Sequence, residues 1–546
     1  MIKFILKYAY SDKAKIFILF LLSGTLSLIS IISPIYNSQL INIITNSNTE
    51  ILLFEIIIKI VFLNILSIVF GYIFSIFCTK YQTGLSFSLN FDLIKHMQKI
   101  PLLEFKKFPP SYLNSRINQD SNNLAIFFIN NFPAIITNSL KFIISLFIIL
   151  TIDLNVFIAM LIFAPIYILA YLNLQKPIFK KNTEFLEQQN IYFNTVNSQF
   201  ETNEVIKVDV GFELSENLIL NQYHKLLHKI LSLNKFFALL NGMDNIIIFI
   251  YQSIFLIYFS LKVMNGKSTI GNFLLIQTYF MAFVGTLKYY INYTKEYHKT
   301  KSSYIRVKEL LDMEIEPVGN FKIESIDSLS VNNVAFSFNE LAGNQCNIRF
   351  KNLEFIKNRI YCITGRNGAG KTTLLNIVIG IYNNYKGVVK YGPKSLAEID
   401  IYDLRKNKIS VALQKPRFEN TTVFENLNQV IEIKDSDGLL RLIKGLNIEN
   451  LYLSTSFDIR EHIFKSISEL SGGELQKVSI LRALLKNSGL LILDEPSTAM
   501  DKSSTYELLN IIKSLKNDKI IIIISHDYDF IEIADEIIEI DAATTG

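Results

Sequence analysis

Six long apolar stretches between Lys15 and Tyr293 constrain the fold of this chain most strongly. Each is close to the roughly 20 residues that a helix needs to cross a bilayer, so we interpret them as transmembrane helices. The 546-residue chain is 50% hydrophobic and only 19% charged, which is too apolar for an ordinary soluble protein. The predicted spans cover residues 16–36, 52–77, 133–152, 154–175, 236–261 and 270–292.

The distribution of Lys and Arg predicts the orientation of these spans. The loop 36–50 has neither residue, whereas the long segments 79–131 and 175–235 are rich in Lys, and cytoplasmic loops carry the excess of positive charge. Lys262 and Lys267, in a short outside loop, weaken the pattern without reversing it. We therefore predict an integral protein of the cell membrane, most simply a bacterial cytoplasmic membrane, with both termini cytoplasmic. No cleavable signal peptide is expected.

Charge and cysteine content exclude other classes of function. The net charge of +5 comes largely from lysines that flank apolar stretches, which indicates membrane topology and gives no reason to expect a nucleic-acid partner. The three cysteines, Cys78, Cys346 and Cys362, are far apart and have no metal-binding spacing, so we expect free thiols.

A few ionisable residues lie within or beside the predicted spans. Charge is costly in lipid, so each is a candidate for a substrate cavity. Glu55 and Lys59 are four residues apart on one helix face, and the alternative is that they simply pair near a membrane edge. For Asp244, the alternative to a place in the cavity is a position at the cytoplasmic boundary of the membrane. Lys141 is the residue that we predict to face the pore, and a tight turn is predicted around Asp153.

A glycine-rich loop in the second half of the chain predicts a phosphate-binding site. The buried strand Arg359–Thr364 leads directly into Gly365-Arg366-Asn367-Gly368-Ala369-Gly370-Lys371-Thr372, and a helix begins near Lys371. Glycines let backbone N–H groups surround phosphates, and the helix amino terminus favours negative charge. Lys371 supplies a cation to the β- and γ-phosphates, and Thr372 offers a hydroxyl to Mg²⁺.

Three further features follow the glycine loop along the chain. Asp494 ends the apolar run Leu490–Leu493, as expected for a carboxylate at the end of a buried strand, and closes the predicted metal site. Shortly before it lies Leu470-Ser471-Gly472-Gly473-Glu474, and His526 follows a second apolar strand. Together these motifs resemble the ATPase domain of ABC transporters, which binds ATP with Mg²⁺.

The resemblance implies roles for individual residues of this sequence. Glu495 matches the catalytic carboxylate that polarises the attacking water, His526 the histidine that contacts the γ-phosphate, and Gln414 the glutamine that senses Mg²⁺ and water. Taken singly, each could be an exposed loop or helix-cap residue; their order and spacing favour the catalytic roles. The implied nucleotide-binding residues are Phe338, Gly365, Asn367, Gly368, Gly370, Lys371, Thr372, Thr373, Ser471, Gly472, Gly473 and Asp501, with Thr372, Gln414 and Asp494 at the metal.

In that family the Ser-Gly-Gly segment binds ATP held by a different nucleotide-binding domain, so the resemblance implies a dimer. Four positions depart from the family pattern. Phe338 stands where a Tyr usually stacks on adenine, and Glu474 replaces the commoner Gln. Lys465 and Ile467 occupy the positions of a Glu-x-Gly motif, which puts the usual communication between the signature segment and the membrane loops in question.

The membrane half carries a second resemblance. Residues 101–105 followed by 113–120 look like the first intracellular loop of ABC exporters, and 200–213 looks like the second; such loops end in coupling helices that dock on the ATPase domains. The alternative is a set of amphipathic helices lying on the membrane. We predict a six-helix transmembrane domain at 1–311, a linker at 312–330 and an α/β P-loop ATPase domain at 331–546.

The combined resemblance implies an ATP-driven exporter of a peptide, lipid or other amphipathic compound, working by alternating access as a dimer of half-transporters. A homodimer is favoured because neither composite site would be degenerate. Alternatives are an importer that uses the same fold, as for metal chelates, and a sensor that binds nucleotide but scarcely hydrolyses it. No Cys-protease domain precedes the first span, so we do not expect cleavage of a leader peptide.

Overall fold

The computed structural model describes residues 1–9, 13–45, 50–108, 110–338, 347–431, 433, 435–454, 457–498 and 500–540. The chain divides into two compact units. One contains Met1–Ile94 and Ser111–Leu311, and the other contains Lys95–Pro110 and Asp312–Gly546. Of the three cysteines, Cys78 and Cys362 are free thiols, and Cys346 lies outside the described residues.

Helices account for nearly all of the first 311 residues. The longest reach 48 and 53 residues, which is longer than a bilayer crossing requires. A π-helical turn, Ser115–Asp120, precedes the sixth helix. The helices are α1 (Ile2–Ala9), α2 (Lys13–Thr45), α3 (Glu50–Met97), α4 (Leu102–Lys106), α5 (Pro110–Asn114), α6 (Ser121–Ile152), α7 (Leu154–Glu201), α8 (Asn203–Val208), α9 (Phe212–Met264) and α10 (Ile270–Leu311).

The first unit is held together by apolar packing between long helices. Helix α7 packs along α9, and α10 packs along α6 and α2. Aromatic side chains dominate the buried cluster between them: Phe163 of α7 contacts Phe280 of α10 edge to face at 5.4 Å between ring centroids, and Phe259 of α9 is fully buried. Helix α3 is different, because little of its apolar stretch is buried within the chain.

Five of the six predicted spans fall on helices that are long and apolar enough to cross a membrane, namely α2, α3, α6 with the segment before it, α9 and α10. The fourth predicted span, 154–175, falls on α7. Among the residues whose side chains the structure describes, its apolar stretch is Leu154–Leu169, and the rest of the predicted span lies outside them. The helical transmembrane domain is confirmed. That the span 154–175 also crosses the membrane, which would bring the number of crossings to six, stays a prediction.

The tight turn predicted around Asp153 is present. Helix α6 ends at Ile152 and α7 begins at Leu154, so a single extended residue reverses the chain. The Asp153 carboxylate caps α7 by accepting hydrogen bonds from Asn155 N at 2.9 Å and Val156 N at 3.3 Å. It also forms an ion pair with Lys262 near the end of α9. One buried carboxylate therefore fixes three helix ends.

Two sheets form the core of the second unit. The first is antiparallel, in the order β2-β1-β5-β6 with β3 on β1; the second is parallel, in the order β12-β4-β11-β10-β7. A two-stranded hairpin, β8-β9, lies apart from them. The strands are β1 (Ser328–Ser337), β2 (Asn347–Phe350), β3 (Leu353–Ile356), β4 (Arg359–Thr364), β5 (Tyr385–Tyr391), β6 (Lys394–Ser395), β7 (Ile409–Ala412), β8 (Leu453–Ser454), β9 (Phe457–Asp458), β10 (Leu490–Asp494), β11 (Ile520–Ile524) and β12 (Glu536–Glu539).

Helices cover the parallel sheet, and this explains why β10 and β11 are buried along their whole length. Val478 and Leu481 of one covering helix and Leu508 of another belong to the same core as Leu491 and Leu493. The helices of this unit are α11 (Lys371–Val378), α12 (Ile401–Asp403), α13 (Val423–Ile431), α14 (Ser436–Gly445), α15 (Glu449–Tyr452), α16 (Ile459–His462), α17 (Gly472–Leu485), α18 (Lys502–Leu515) and α19 (Tyr528–Glu532).

The segment Lys95–Pro110 packs as part of this second unit, and it contains residues 101–105 of the predicted first intracellular loop, whereas residues 113–120 of that loop belong to the first unit. Leu102 and Leu103 of α4 lie against its hydrophobic core. The backbone N–H of Glu316 donates to the carbonyl of Lys99 at 2.7 Å, and His96 Nε2 lies 3.0 Å from the carbonyl of Met313. Apolar docking and backbone hydrogen bonds thus attach α4 to the α/β unit.

We expect Asp153→Ala to lower the melting temperature of the purified chain. It leaves two N–H groups at the start of α7 without an acceptor, which costs about 1 kcal/mol, and it removes the partner of Lys262. Asp153→Asn keeps an oxygen acceptor and should lose less. Melting temperatures measured in one detergent compare the variants; equal losses from Ala and Asn would exclude the capping role.

Candidate active site

The parallel sheet brings the predicted catalytic groups to one edge. Asp494 at the end of β10 pairs in register with Ile524 of β11, which pairs with Ile363 of β4. The glycine loop therefore leaves β4 beside the point where Glu495 follows β10 and His526 follows β11. The carboxyl ends of adjacent parallel strands are the usual position of a ligand site in open α/β sheets.

Two glycines of the loop are required by its backbone. Gly365 has φ of +142°, and a Cβ there would lie 2.2 Å from the carbonyl oxygen of Ile540. Gly370 has φ of +97°, and a Cβ there would lie 2.8 Å from a methyl carbon of Ile348. Side chains are excluded at both positions by conformation and by space. The loop can therefore keep this conformation only with glycine at both positions.

Lys371 connects the loop to the histidine after β11. Its Nζ donates to the carbonyl of Gly365 at 2.6 Å and to that of Arg366 at 3.3 Å, and lies 3.1 Å from His526 Nε2. Along the loop, Asn367 and Gly368 are exposed, whereas Thr373 is buried under it. The ammonium group is thus held over the same loop whose N–H groups would receive phosphates.

Asp494 and Thr372 supply the oxygen atoms of the predicted metal site. The Asp494 carboxylate is 3% exposed and accepts a hydrogen bond from the Thr372 hydroxyl. Burial, and after it the negative charge of Glu495, raise the pKa of Asp494 to about 6, whereas Lys371 and the Thr372 hydrogen bond act in the opposite direction. One carboxylate and one hydroxyl fit Mg²⁺, which takes few protein ligands and completes its shell with phosphate oxygens and water.

Glu495 adopts a strained conformation at the head of the next turn. Its φ is +48°, in the left-handed region that is uncommon for residues other than glycine, and its N–H donates to the carbonyl of Ile524 at 2.8 Å. One carboxylate oxygen lies 4.0 Å from His526 Nε2. The hydrogen bond from the Glu495 N–H to Ile524 of β11 fixes the backbone at Glu495, and its side chain lies on the side of the histidine.

Gln414 and Phe338 lie at the ends of two other strands. Gln414 is exposed two residues after β7, the strand that pairs with β10. Phe338 follows β1 and is 47% exposed, with its ring edge against Phe336 at 4.9 Å and Tyr382 at 6.1 Å between centroids. The exposed face of Phe338 remains available for stacking.

The signature segment forms the amino terminus of α17. Ser471 caps the helix, and one oxygen of Glu474 accepts from the Ser471 N–H at 2.7 Å and from its hydroxyl at 2.8 Å. Gly472 has open space where a Cβ would be, and Gly473 lies in the first turn. Within the described part of the chain, the side-chain hydrogen bonds of Ser471 all belong to this capping box.

Sequence reasoning missed His462, which holds the other oxygen of Glu474. His462 Nε2 lies 3.1 Å from Glu474 Oε1, and Nδ1 lies 2.7 Å from the carbonyl of Asp458. Both ring nitrogens therefore lie within hydrogen-bond distance of an oxygen. Hydrogen bonds from Ser471, followed by the interaction with His462, hold the pKa of Glu474 below its usual range. No local pattern in the sequence predicted this contact, because it depends on how α16 packs beside α17.

Asp501 is engaged within the same unit. It caps α18 by accepting from the Ser504 backbone N–H at 3.4 Å, and it also accepts from the Ser504 hydroxyl at 2.5 Å. Its carboxylate lies 3.4 Å from Nζ of Lys477, a buried lysine of α17. The Ser504 hydrogen bond, followed by the charge of Lys477, lowers the pKa of Asp501. Sequence reasoning missed Lys477, because nothing local indicates that a lysine in a helix will be buried.

The atypical segment before the signature has a structural role of its own. Ile467 N donates to the carbonyl of Thr421 at 3.0 Å, and the carbonyl of Lys465 accepts from Val423 N at 3.1 Å. Ile467 is buried in the core, and Lys465 is exposed. The segment therefore positions the signature by pairing with the residues that start α13.

Comparison with known proteins identifies the family. A family model described as "ABC transporter" matches residues 350–498, and one described as "ABC transporter transmembrane region" matches residues 16–287. The chain belongs to the ABC transporters. The predicted family is confirmed, as is the order of a helical transmembrane part followed by an α/β ATP-binding part, fused in one chain.

Individual relatives are distant. The transporter is 24% identical to the nisin transport ATP-binding protein NisT of Lactococcus lactis subsp. lactis, over 95% of this chain and 88% of that protein. It is 28% identical to an ATP-dependent lipid A-core flippase of Pasteurella multocida, over 51% of this chain and 48% of the flippase. A bacterial Atm1-family ABC exporter with ATP bound has the same fold, with a TM-score of 0.81, 15% identity and coverage of 97% and 94% of the two chains.

The raised pKa of Asp494 predicts a pH-dependent cost in stability. The folded-state pKa of about 6 exceeds the ordinary value of 3.8, so ionised Asp494 destabilises the folded transporter above pH 6, and this cost disappears as the pH falls towards 3.8. Without nucleotide and Mg²⁺, Asp494→Asn should stabilise by on the order of 2 kcal/mol at pH 7.5 and by less at pH 5. Thermal unfolding with the exposed Asp437→Asn as control tests this; a gain independent of pH would contradict it.

The capping box predicts a graded response at Glu474. Glu474→Ala removes the acceptor for Ser471 and should destabilise α17 by about 1 kcal/mol and raise the KM for ATP severalfold, whereas Glu474→Gln keeps an oxygen acceptor and should change both less. Steady-state ATPase kinetics and melting temperature are the measurements, with Glu469→Ala, an exposed neighbour, as control. Equal effects of Ala and Gln would show that the cap does not matter.

Proposed function

We propose that this transporter hydrolyses ATP to export an amphipathic peptide, lipid or related compound, by alternating access in a dimer. The convergence of Lys371, Asp494, Glu495 and His526 at one edge of the parallel sheet carries the proposal. A chain that only bound nucleotide would need the loop and the lysine. A carboxylate placed beside a histidine at the same edge is the arrangement that hydrolysis requires.

The chain's own residues divide the chemistry among them. Lys371 and the loop N–H groups orient the β- and γ-phosphates, and His526 contacts the γ-phosphate. Glu495 accepts the hydrogen bond of the attacking water and aligns it with the phosphorus atom. Thr372, Asp494 and Gln414 would hold Mg²⁺, which neutralises phosphate charge when bound. Phe338 would stack on the adenine ring.

A dimer follows from the separation of roles along the chain. Ser471, Gly472, Gly473 and Asp501 would complete the ATP site of the partner's loop, as in the family that this chain belongs to. A second copy of the chain is the favoured partner, because it brings both sets of motifs intact. On binding ATP the domains would close, and hydrolysis would reopen them.

The second intracellular loop supports an interaction outside its own helices. Around α8 the side chains of Phe200, Val205, Val208 and Val210 are exposed, and Phe200 and Val208 are both 75% exposed. Exposed apolar side chains in a cluster favour burial against another surface. By analogy with α4, whose leucines pack on an α/β core, we propose that α8 docks on the ATPase domain of the partner chain.

The substrate class rests on the relatives. Their names specify transport of nisin, a peptide, and of the lipid A-core, which supports an amphipathic cargo here. Both termini would lie in the cytoplasm, where ATP is available, and the chain would reside in the cell membrane.

Replacing the proposed catalytic carboxylate tests hydrolysis. We expect Glu495→Gln to lower ATP turnover by at least about a hundredfold while ATP binding persists, because the amide keeps its size but cannot act as a base. The measurement is the ATPase rate of the purified full-length transporter, with Glu532→Gln, at an exposed position of α19, as control. Turnover that survives in Glu495→Gln would refute the proposed role.

The direction of transport is tested with the same variant in a transport assay. Inside-out vesicles containing the transporter should accumulate a cargo amphiphile on addition of ATP, and those containing Glu495→Gln should not. Accumulation restricted to right-side-out cells would refute export.

A further inference from the structure

The charged residues within the predicted spans are Glu55, Lys59, Lys141, Asp244 and Lys288. Four of them form two ion pairs: Lys59 Nζ lies 2.5 Å from a Glu55 oxygen, and Lys288 Nζ lies 3.2 Å from an Asp244 oxygen. Among the described residues Lys141 has neither an ion-pair partner nor a hydrogen-bond acceptor. A cation at membrane depth is costly unless something compensates its charge.

Lys141 lines a cavity of about 560 Å³ between α2, α3 and α6. The cavity, which we call the Lys141 cavity, also exposes the polar groups of Gln82, Asn130 and Ser27 and the apolar side chains of Leu26 and Phe74. Its volume is in the range of a site for a small ligand or for the head of a larger one.

A second unsatisfied group points to a ligand. Ser27 is 2% exposed, and its hydroxyl has no hydrogen-bond partner among the described residues. A buried hydroxyl without a partner costs free energy, as does the unpaired Lys141 ammonium. Two other hydroxyls of the cavity already donate within their own helices: Thr79 donates to the carbonyl of Ser75 at 3.0 Å, and Thr137 donates to that of Ala134 at 3.1 Å.

The groups that remain can all donate hydrogen bonds, and one of them, the Lys141 ammonium, is positively charged and can only donate. Lys141 has three N–H bonds, Ser27 one O–H, and the Asn130 amide two N–H bonds. An anionic oxygen group, a phosphate or a carboxylate, accepts from such a set, and charge-assisted hydrogen bonds of this kind are the strong ones. The apolar side chains beside them suit the start of a hydrocarbon chain.

We propose that the Lys141 cavity binds the anionic head of an amphiphile, with Lys141 as the counter-ion and Ser27 as a second donor. The inference rests on the proposed export function, and it narrows the cargo to amphiphiles with an anionic head. It makes cationic heads poor ligands, because they leave Lys141 without compensation, and zwitterionic heads weaker ligands than anionic ones, because their own ammonium group offsets the attraction between phosphate and Lys141.

Lipid binding to the full-length transporter, measured without ATP by native mass spectrometry, tests the proposal. The probes are phosphatidylglycerol, phosphatidylcholine and oleate, so that phosphate and carboxylate heads are compared with a zwitterionic head. We expect the wild-type chain to bind phosphatidylglycerol or oleate about tenfold more tightly than phosphatidylcholine, and Lys141→Met to lose that preference.

Matched variants separate charge from folding. Lys141→Arg should keep the preference, and Lys267→Met, at an exposed position of an outside loop, should leave it unchanged. A preference for oleate alone would assign a carboxylate head, and one for phosphatidylglycerol alone a phosphate head; both support the inference. A preference that persists in Lys141→Met, or a wild-type chain with none for either anionic probe, overturns it.

The binding assay also distinguishes this inference from the proposed function. Because it needs no ATP, anion preference can be present in a chain that fails the Glu495→Gln test. Conversely, a transporter that hydrolyses ATP through Glu495 but shows no dependence on Lys141 keeps the proposed function and loses the anionic site.

Discussion

The in-register pairing of β4, β11 and β10 is the constraint on which the nucleotide site depends. These strands are buried on both faces, so their register is fixed by the packing of isoleucine and leucine side chains. The glycine loop, Glu495 and His526 each follow one of the three strands. A shift of one residue in any strand pair would move a side chain by more than about 3 Å along the strand. It would separate His526 from Lys371 and Glu495, whose polar atoms now lie 3.1 Å and 4.0 Å from its Nε2.

A charged network on α17 adds a second layer of positioning. One face of the helix is held by apolar packing of residues such as Val478 and Leu481. At its start, Glu474 joins His462 to Ser471, and one turn later Lys477 joins Asp501. Hydrogen bonds have a directional preference that apolar packing lacks. The signature segment is therefore oriented by these polar contacts and not only by the core beneath it.

Local sequence predicted the parts of the fold whose cause is local. The glycine loop could be read because Gly365 and Gly370 occupy backbone conformations that other residues avoid, and the turn at Asp153 because one polar residue separates two apolar runs. His462 and Lys477 could not be predicted, since their partners depend on how α16, α17 and α18 pack.

The five isoleucines of β11 also affect what happens when this domain is not folded. Five consecutive β-branched residues without charge or proline are typical of segments that stack into cross-β aggregates when exposed. Lys519 directly precedes them. In the folded state its ammonium is buried and donates to the carbonyl of Ser488 at 2.8 Å, and burial lowers its pKa. In an unfolded or nascent chain the same ammonium group is exposed beside the aggregation-prone strand, where it acts as a gatekeeper against self-association.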